Sequence, residues 1–153
     1  METDYKCSNN ESSKKINVTN LIINGNGHNI DGSNKSSGFY FKFSAGSFDE
    51  YGNVTVNDLT LTNLRGFAIH SVFCRLTLNN VTFVNCSYVK LDDWEYPGVL
   101  ELSYGVAILN NVSFKSNFNA SCIGLDSSNM EINNSIFLGS NGLFSAITHN
   151  REH

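Results

Sequence analysis

The chain has almost no proline, little charge and no long apolar run, and each shortage removes a class of protein. One Pro and 16% charged residues, set beside eleven Phe, argue against a disordered tail. The net charge is −4 and the ten Lys and Arg are scattered singly, so nothing here forms an electrostatic footprint for a phosphate backbone. Nucleic acid is not an expected partner. No run approaches the roughly 18 apolar residues that cross a bilayer, and Met1 to Lys15 carries charges where an export signal needs an apolar stretch. No membrane span is expected in this chain. Cys7, Cys74, Cys86 and Cys122 lack the C-x-x-C spacing of zinc sites. They are expected as buried thiols packed like small hydrophobes, with a Cys74 to Cys86 bridge as the alternative.

What remains is a polar but uncharged surface of Asn, Ser, Thr and Gly around 41% hydrophobic residues, enough for one folded unit over 1–153. That surface is organised by a repeat. Asn53 to Asn63 reads NVTVNDLTLTN, Arg75 to Asn85 RLTLNNVTFVN, Val106 to Ser116 VAILNNVSFKS, and Asn129 to Gly139 NMEINNSIFLG. Each is an alternating run, an Asn followed by Asn or Asp, and a second alternating run. Asn57, Asn79, Asn110 and Asn133 are the equivalent positions, spaced 22, 31 and 23 residues apart. A divergent earlier copy is read at Lys15 to Gly25, with Thr19 in the Asn position.

Between copies lies a third apolar run, at Phe39 to Phe43, Gly66 to Phe73, Gly98 to Leu102, Ala120 to Leu125 and Leu143 to Ile147. Three short strands in about 22 residues cannot close a sheet within one repeat, and no segment has helical periodicity. The repeats must pair with one another. The expectation is therefore an all-β, right-handed parallel β-helix of about five coils, three short strands per coil, with three sheets around one narrow core.

Alternation assigns the faces: Val54, Val56, Leu59 and Leu61 inward, Thr55, Thr60 and Thr62 outward. In later copies Phe83, Phe114 and Phe137 form an inward core stack. Asn57, Asn79, Asn110 and Asn133 fall where the chain turns, and Asn accepts left-handed backbone angles, so a structural amide ladder is expected there.

Candidate chemistry is sparse. Asn24 to Gly32 (NGNGHNIDG) lacks the third glycine and following helix of a nucleotide loop, and is a single copy where calcium-binding rolls need several. No metal or cofactor is expected. His28, His70, His149 and His153 are dispersed and read as ordinary polar or packing residues. The long middle spacing contains an insertion at 88–98, YVKLDDWEYPG. Its Tyr88, Lys90, Asp92, Asp93, Trp94, Glu95 and Tyr96 are the candidate binding residues, because aromatic faces supply contact area to a sugar or a protein. No Arg or His lies in the same segment to complete an acid-base set.

The NNVTF and NNVSF segments, the NGNGHNIDG opening and the F-x-x-N element of Phe114 and Asn117 resemble the adhesin-like surface proteins of methanogenic archaea. Those proteins carry pectin-lyase-like repeats of the polymorphic-outer-membrane-protein type. The resemblance implies a cell-surface, extracellular setting and a non-catalytic module that presents a binding surface to glycans or partner proteins. A polysaccharide lyase or hydrolase and a bare structural stalk are the two alternatives. Because solenoids need polar end caps, Met1 to Lys15 is expected as the N-terminal cap of what reads as a fragment of a longer solenoid. End-to-end association through an uncapped edge follows as a further expectation.

Overall fold

The computed structural model describes residues 1–8, 15–44, 49–87 and 98–139, together with the backbone of 147–150. The described residues hold no helix. Their strands are β1 (Tyr5–Lys6), β2 (Lys15–Asn17), β3 (Asn20–Asn24), β4 (Asn29–Asp31), β5 (Phe39–Lys42), β6 (Gly52–Thr62), β7 (Ile69–Val72) and β8 (Cys74–Val84). Then come β9 (Gly98–Ser103), β10 (Val106–Asn110), β11 (Ser113–Lys115), β12 (Ser121–Asp126), β13 (Asn129–Asn133), β14 (Ile136–Leu138) and β15 (Ile147–Asn150).

Every strand pairing is parallel, and each repeat lies on the one before it. One sheet stacks β3, β6, β8, β10 and β13 and, beside them, β1, β4, β11 and β14. The other runs β2, β5, β7, β9, β12, β15 in chain order. Parallel partners so close in sequence need the chain to travel round and return, which is how a β-helix-like solenoid is built.

The structure has two hydrogen-bonded sheets where the sequence suggests three. In β6 and β8 the first two runs of the repeat join into single 11-residue strands that pass through the Asn position without a break. One left-handed residue makes the bend: Asp58 (φ 51°), Asn80 (φ 54°), Asn111 (φ 54°) and Asn134 (φ 49°). This corrects the placement of the turn conformation by one residue. The left-handed angle belongs to the residue after Asn57, Asn79, Asn110 and Asn133, which themselves stay in strand register.

Those four Asn form a ladder in which each amide donates to the carbonyl of the rung below. Asn79 Nδ2 donates to Asn57 Oδ1 at 2.8 Å, Asn110 to Asn79 at 2.9 Å, and Asn133 to Asn110 at 3.1 Å. Asn57 donates in turn to Asn24, which is its partner in register, at 2.9 Å. The first copy of the repeat therefore begins at Asn20, not Lys15, and Asn24 rather than Thr19 holds the Asn position. Sequence alone does not separate the two frames, because Ile16 and Val18 alternate as well as Leu21 and Ile23 do, while the Gly25-Asn26-Gly27 turn stretches this copy.

Two shorter ladders run the same way. Asn111 donates to Asn80 and Asn80 to Asp58, while Asn85 donates to Asn63 and Asn63 to Asp31. An ionised Asp can only accept, so Asp31 and Asp58 occupy the lowest rung of each and fix the direction of every amide above. The Asn63 amide and the Ser33 backbone N–H hold the Asp31 carboxyl below the usual carboxylate range.

Burial alternates along β6 and β8 from buried to half-exposed and reverses phase only at the bend. Val54, Val56, Leu59, Leu61, Leu76, Leu78, Val81 and Phe83 fill the core with Leu109, Val112 and Phe114. Phe83 and Phe114 stack at 4.8 Å between centroids, and Phe114 and Phe137 at 5.0 Å. Asn117 also points into the core, where it accepts from the Cys86 N–H at 2.9 Å and donates to the Phe83 carbonyl at 3.2 Å. Cys74 opens β8 and Cys86 lies two residues beyond its end; both are buried free thiols, so the Cys74 to Cys86 bridge does not form.

Two described parts of the N-terminal segment pair with the solenoid. Tyr5–Lys6 pairs with β4 and Lys15–Asn17 with β5, so this segment adds strands to both sheets. His28 Nδ1 and the Asn29 N–H both contact the Asp4 carboxylate, tying the segment to the turn above it.

Candidate functional site

The second sheet carries titratable side chains on its outer face. Its inward rows hold Ile69, Leu100 and Ile123, and then Phe41, Leu102 and Leu125. Alternation turns the intervening residues outward, and the register lines up Tyr40, His70, Glu101 and Gly124 in one row and Lys42, Val72, Ser103 and Asp126 in the next. An outer row is ordinarily wet. Here His70 is only 5% exposed and Glu101 only 6%.

Tyr40 and His70 stack face to face at 4.8 Å with their planes 5° apart, and Phe67 meets the His70 ring edge-on at 5.2 Å. His70 Nε2 lies 3.4 Å from the Ser103 hydroxyl. Burial lowers the His70 pKa to about 4, so the imidazole is neutral across the physiological range. Burial, reinforced by Asp126, raises Glu101 to about 7, so its carboxyl is poised between its acid and its base form. Burial and the nearby Glu101 carboxyl also raise the Tyr40 phenol. A neutral imidazole beside a carboxyl of raised pKa can exchange protons with a bound polar group or hydrogen-bond to sugar hydroxyls.

Sequence reasoning missed this cluster, since the four His were read as dispersed. The signal lay in the third strands: once they are stacked in register, Tyr40, His70 and Glu101 share one face. The loop candidates Tyr88, Lys90, Asp92, Asp93, Trp94, Glu95 and Tyr96 lie outside the described residues. Among the described residues no group of three or more His, Cys, Asp or Glu is placed to hold a metal ion, and no helix is long and apolar enough to cross a membrane.

No curated protein and no solved structure matches the chain. A family model described as "putative pectate lyase-like adhesive domain" matches residues 1–93, which takes in β1 to β8 with Tyr40 and His70 and leaves Glu101 outside. That stretch is more than half of the 153 residues, so the parallel, rung-on-rung strands belong to a chain of the pectate lyase-like adhesive domain family.

Proposed function

We propose that the chain is a non-catalytic, adhesin-like module of the cell surface, of the kind carried by surface proteins of methanogens, that presents a binding surface to glycans or partner proteins. It does so as a right-handed β-helix of about five coils. The observation that carries this reading is the match of residues 1–93 to a domain described as adhesive. Physical support comes from the ladders: stacked rungs hold outward side chains in fixed rows, which lowers the ordering cost of binding an extended partner.

The 88–98 insertion is one place for such contacts, and the edges of β13 and β14, which pair with no further strand among the described residues, are a place for end-to-end association. Purified protein applied to a glycan array and to pectin-like polysaccharides tests the proposal. Retention without turnover is expected, and deletion of Asp92 to Tyr96 is expected to weaken it. Release of unsaturated sugar would instead establish the second reading, a polysaccharide lyase, which the paired His70 and Glu101 favour. Absence of both retention and turnover would leave only a stalk.

A further inference from the structure

The long amide ladder is unfinished at both ends. At its foot Asn24 accepts from Asn57, and its own Nδ2 meets no acceptor among the described residues. At its head the two N–H groups of Asn133 are taken by Asn110 and Glu131, while its Oδ1 meets no donor among the described residues. The ladders that begin at Asp31 and Asp58 have no such spare donor.

The backbone edges are open at the same two places. β3 pairs with β6 alone, and the bonds that Thr19 and Gly25 make to β6 turn the backbone groups of Asn20, Ile22 and Asn24 the other way, where the Met1 amino group meets the Asn24 carbonyl. β13 pairs with β10 alone, and the bonds of Asn129 and Asn133 to that coil turn the backbone groups of Met130 and Ile132 away from it. Continuing the register by one coil would lay β3 of a second copy on β13. Asn24 then meets Asn133, Leu21 meets Met130 and Ile23 meets Ile132, while β4 on β14 brings Ile30 to Phe137. All of these apolar residues are only partly covered, and Ile132 is 36% exposed where its register partners Leu78 and Leu109 are fully buried. Two molecules joined head to head would instead oppose one Asn133 carbonyl to another.

One obstacle stands between the two surfaces. β1 and β2 occupy the edges of β4 and β5 that the second copy needs. They are two and three residues long with exposed side chains, against five, three and four residues in β13, β14 and β15. The Asp4 carboxylate, in contact with His28 and the Asn29 N–H, and Lys6, beside Asp31, pin the first of them.

We propose that β1 and β2 form a displaceable cap, and that lifting it lets the β3, β4 and β5 coil of one molecule stack on the β13, β14 and β15 end of a second copy of this chain, Asn24 donating to Asn133 across the joint. The proposal rests on the end-to-end association put forward above and adds its orientation, its joint and its control. Exchange replaces short exposed strands by longer ones and covers the apolar residues of the last coil.

Sedimentation velocity of the full chain, run in reductant over a dilution series, tests this with an Asp4→Ala, Lys6→Glu variant. Both substitutions lie on exposed residues and loosen the cap without touching the core. Wild type is expected to sediment as a monomer, and the variant to reach at least roughly threefold its weight-average mass, because a head-to-tail joint does not close at a dimer. Adding Asn24→Asp should return the variant to monomer at an unchanged melting temperature, since a carboxylate there still accepts from Asn57 but has nothing to donate to Asn133. Assembly that survives Asn24→Asp would overturn the joint and leave end-to-end association standing through another contact. Equal assembly of wild type would overturn the cap. Monomers throughout would overturn both the proposal and the association it rests on. Should the double variant fail to fold, Asp4→Ala alone is read in the same way.

Discussion

Replacing Glu101 by Gln should stabilise the protein at alkaline pH and leave it almost unchanged in mild acid. The Glu101 carboxyl is raised from 4.5 to about 7, chiefly by burial. The folded chain therefore keeps this proton across a range in which the unfolded chain has lost it, and stability falls as pH rises through that range. The full loss is about 3 kcal/mol, from the free-energy equivalent of the pKa difference. His70 acts in the opposite sense. Its pKa is lowered from 6.5 to about 4, so the unfolded chain takes up a proton that the folded chain refuses, and stability rises with pH between those values.

In wild type the two slopes oppose each other over the shared window from 4.5 to 6.5. Tyr40, Ser103 and Asp126 are the other polar groups facing the pair. Glu101→Gln removes one slope, so the difference between variant and wild type should be near zero at pH 4.5 and about 3 kcal/mol in favour of the variant at pH 8. At that pH the melting temperature should rise by roughly 6–12 °C for a chain of this size. Urea titrations at both pH values give the same double difference without assuming a heat capacity. A variant offset that does not change between pH 4.5 and pH 8 would refute the burial argument.

Other substitutions probe the frame. Phe83→Asp puts an unpaired charge into the fully buried core at the end of the ring stack and should unfold the domain, whereas Thr82→Asp, on the half-exposed outer face, should shift the melting temperature by only a few degrees; equal effects would contradict the register. Asn79→Asp keeps the acceptor for Asn110 but sets a carboxylate against the Asn57 carbonyl, so it should cost about 1–3 kcal/mol in urea unfolding, while Asp58→Asn, at the lowest rung of its ladder, should stay within about 0.5 kcal/mol. Gly38→Ala drives a Cβ into the Ala68 carbonyl and should lower the melting temperature clearly more than Gly27→Ala, whose added methyl meets nothing and whose cost is the left-handed φ of 77° alone. Acid titration should destabilise the Asp31 ladder: its depressed carboxyl adds stability that is present above the unfolded pKa and fades as pH falls, and Asp31→Asn should flatten that part of the profile.

The fold was legible where period and alternation agree. Four gapless copies, with apolar residues at nearly every inward place, leave little choice but stacked parallel strands. Number of sheets was less legible, because the bend at Asn80 leaves β8 unbroken while the same left-handed angle at Asn111 separates β10 from β11, and composition does not show which happens. The first copy was misplaced for a related reason: at Lys15 to Gly25 two frames alternate equally well, and only pairing to β6 decides between Thr19 and Asn24. The outer-face row of Tyr40, His70 and Glu101 was hidden by distance along the chain, since three residues thirty apart form a cluster only after the third strands are laid in register. Nor does sequence alone reveal Phe73 and Tyr104 as unusual, because their oddity is a backbone angle.

The one-way amide ladders have a consequence for how such a protein grows. A coil copied from the middle of the stack carries Asn at the rung positions and can be inserted anywhere, because it offers a donor below and an acceptor above. A coil that carries Asp there can only start a column, as Asp31 and Asp58 do, since no donor remains for the coil beneath. In this chain Asp31 and Asp58 start their columns, Asn continues them, and the column above Asn85 ends where Ser116 and Gly139 take over the corner.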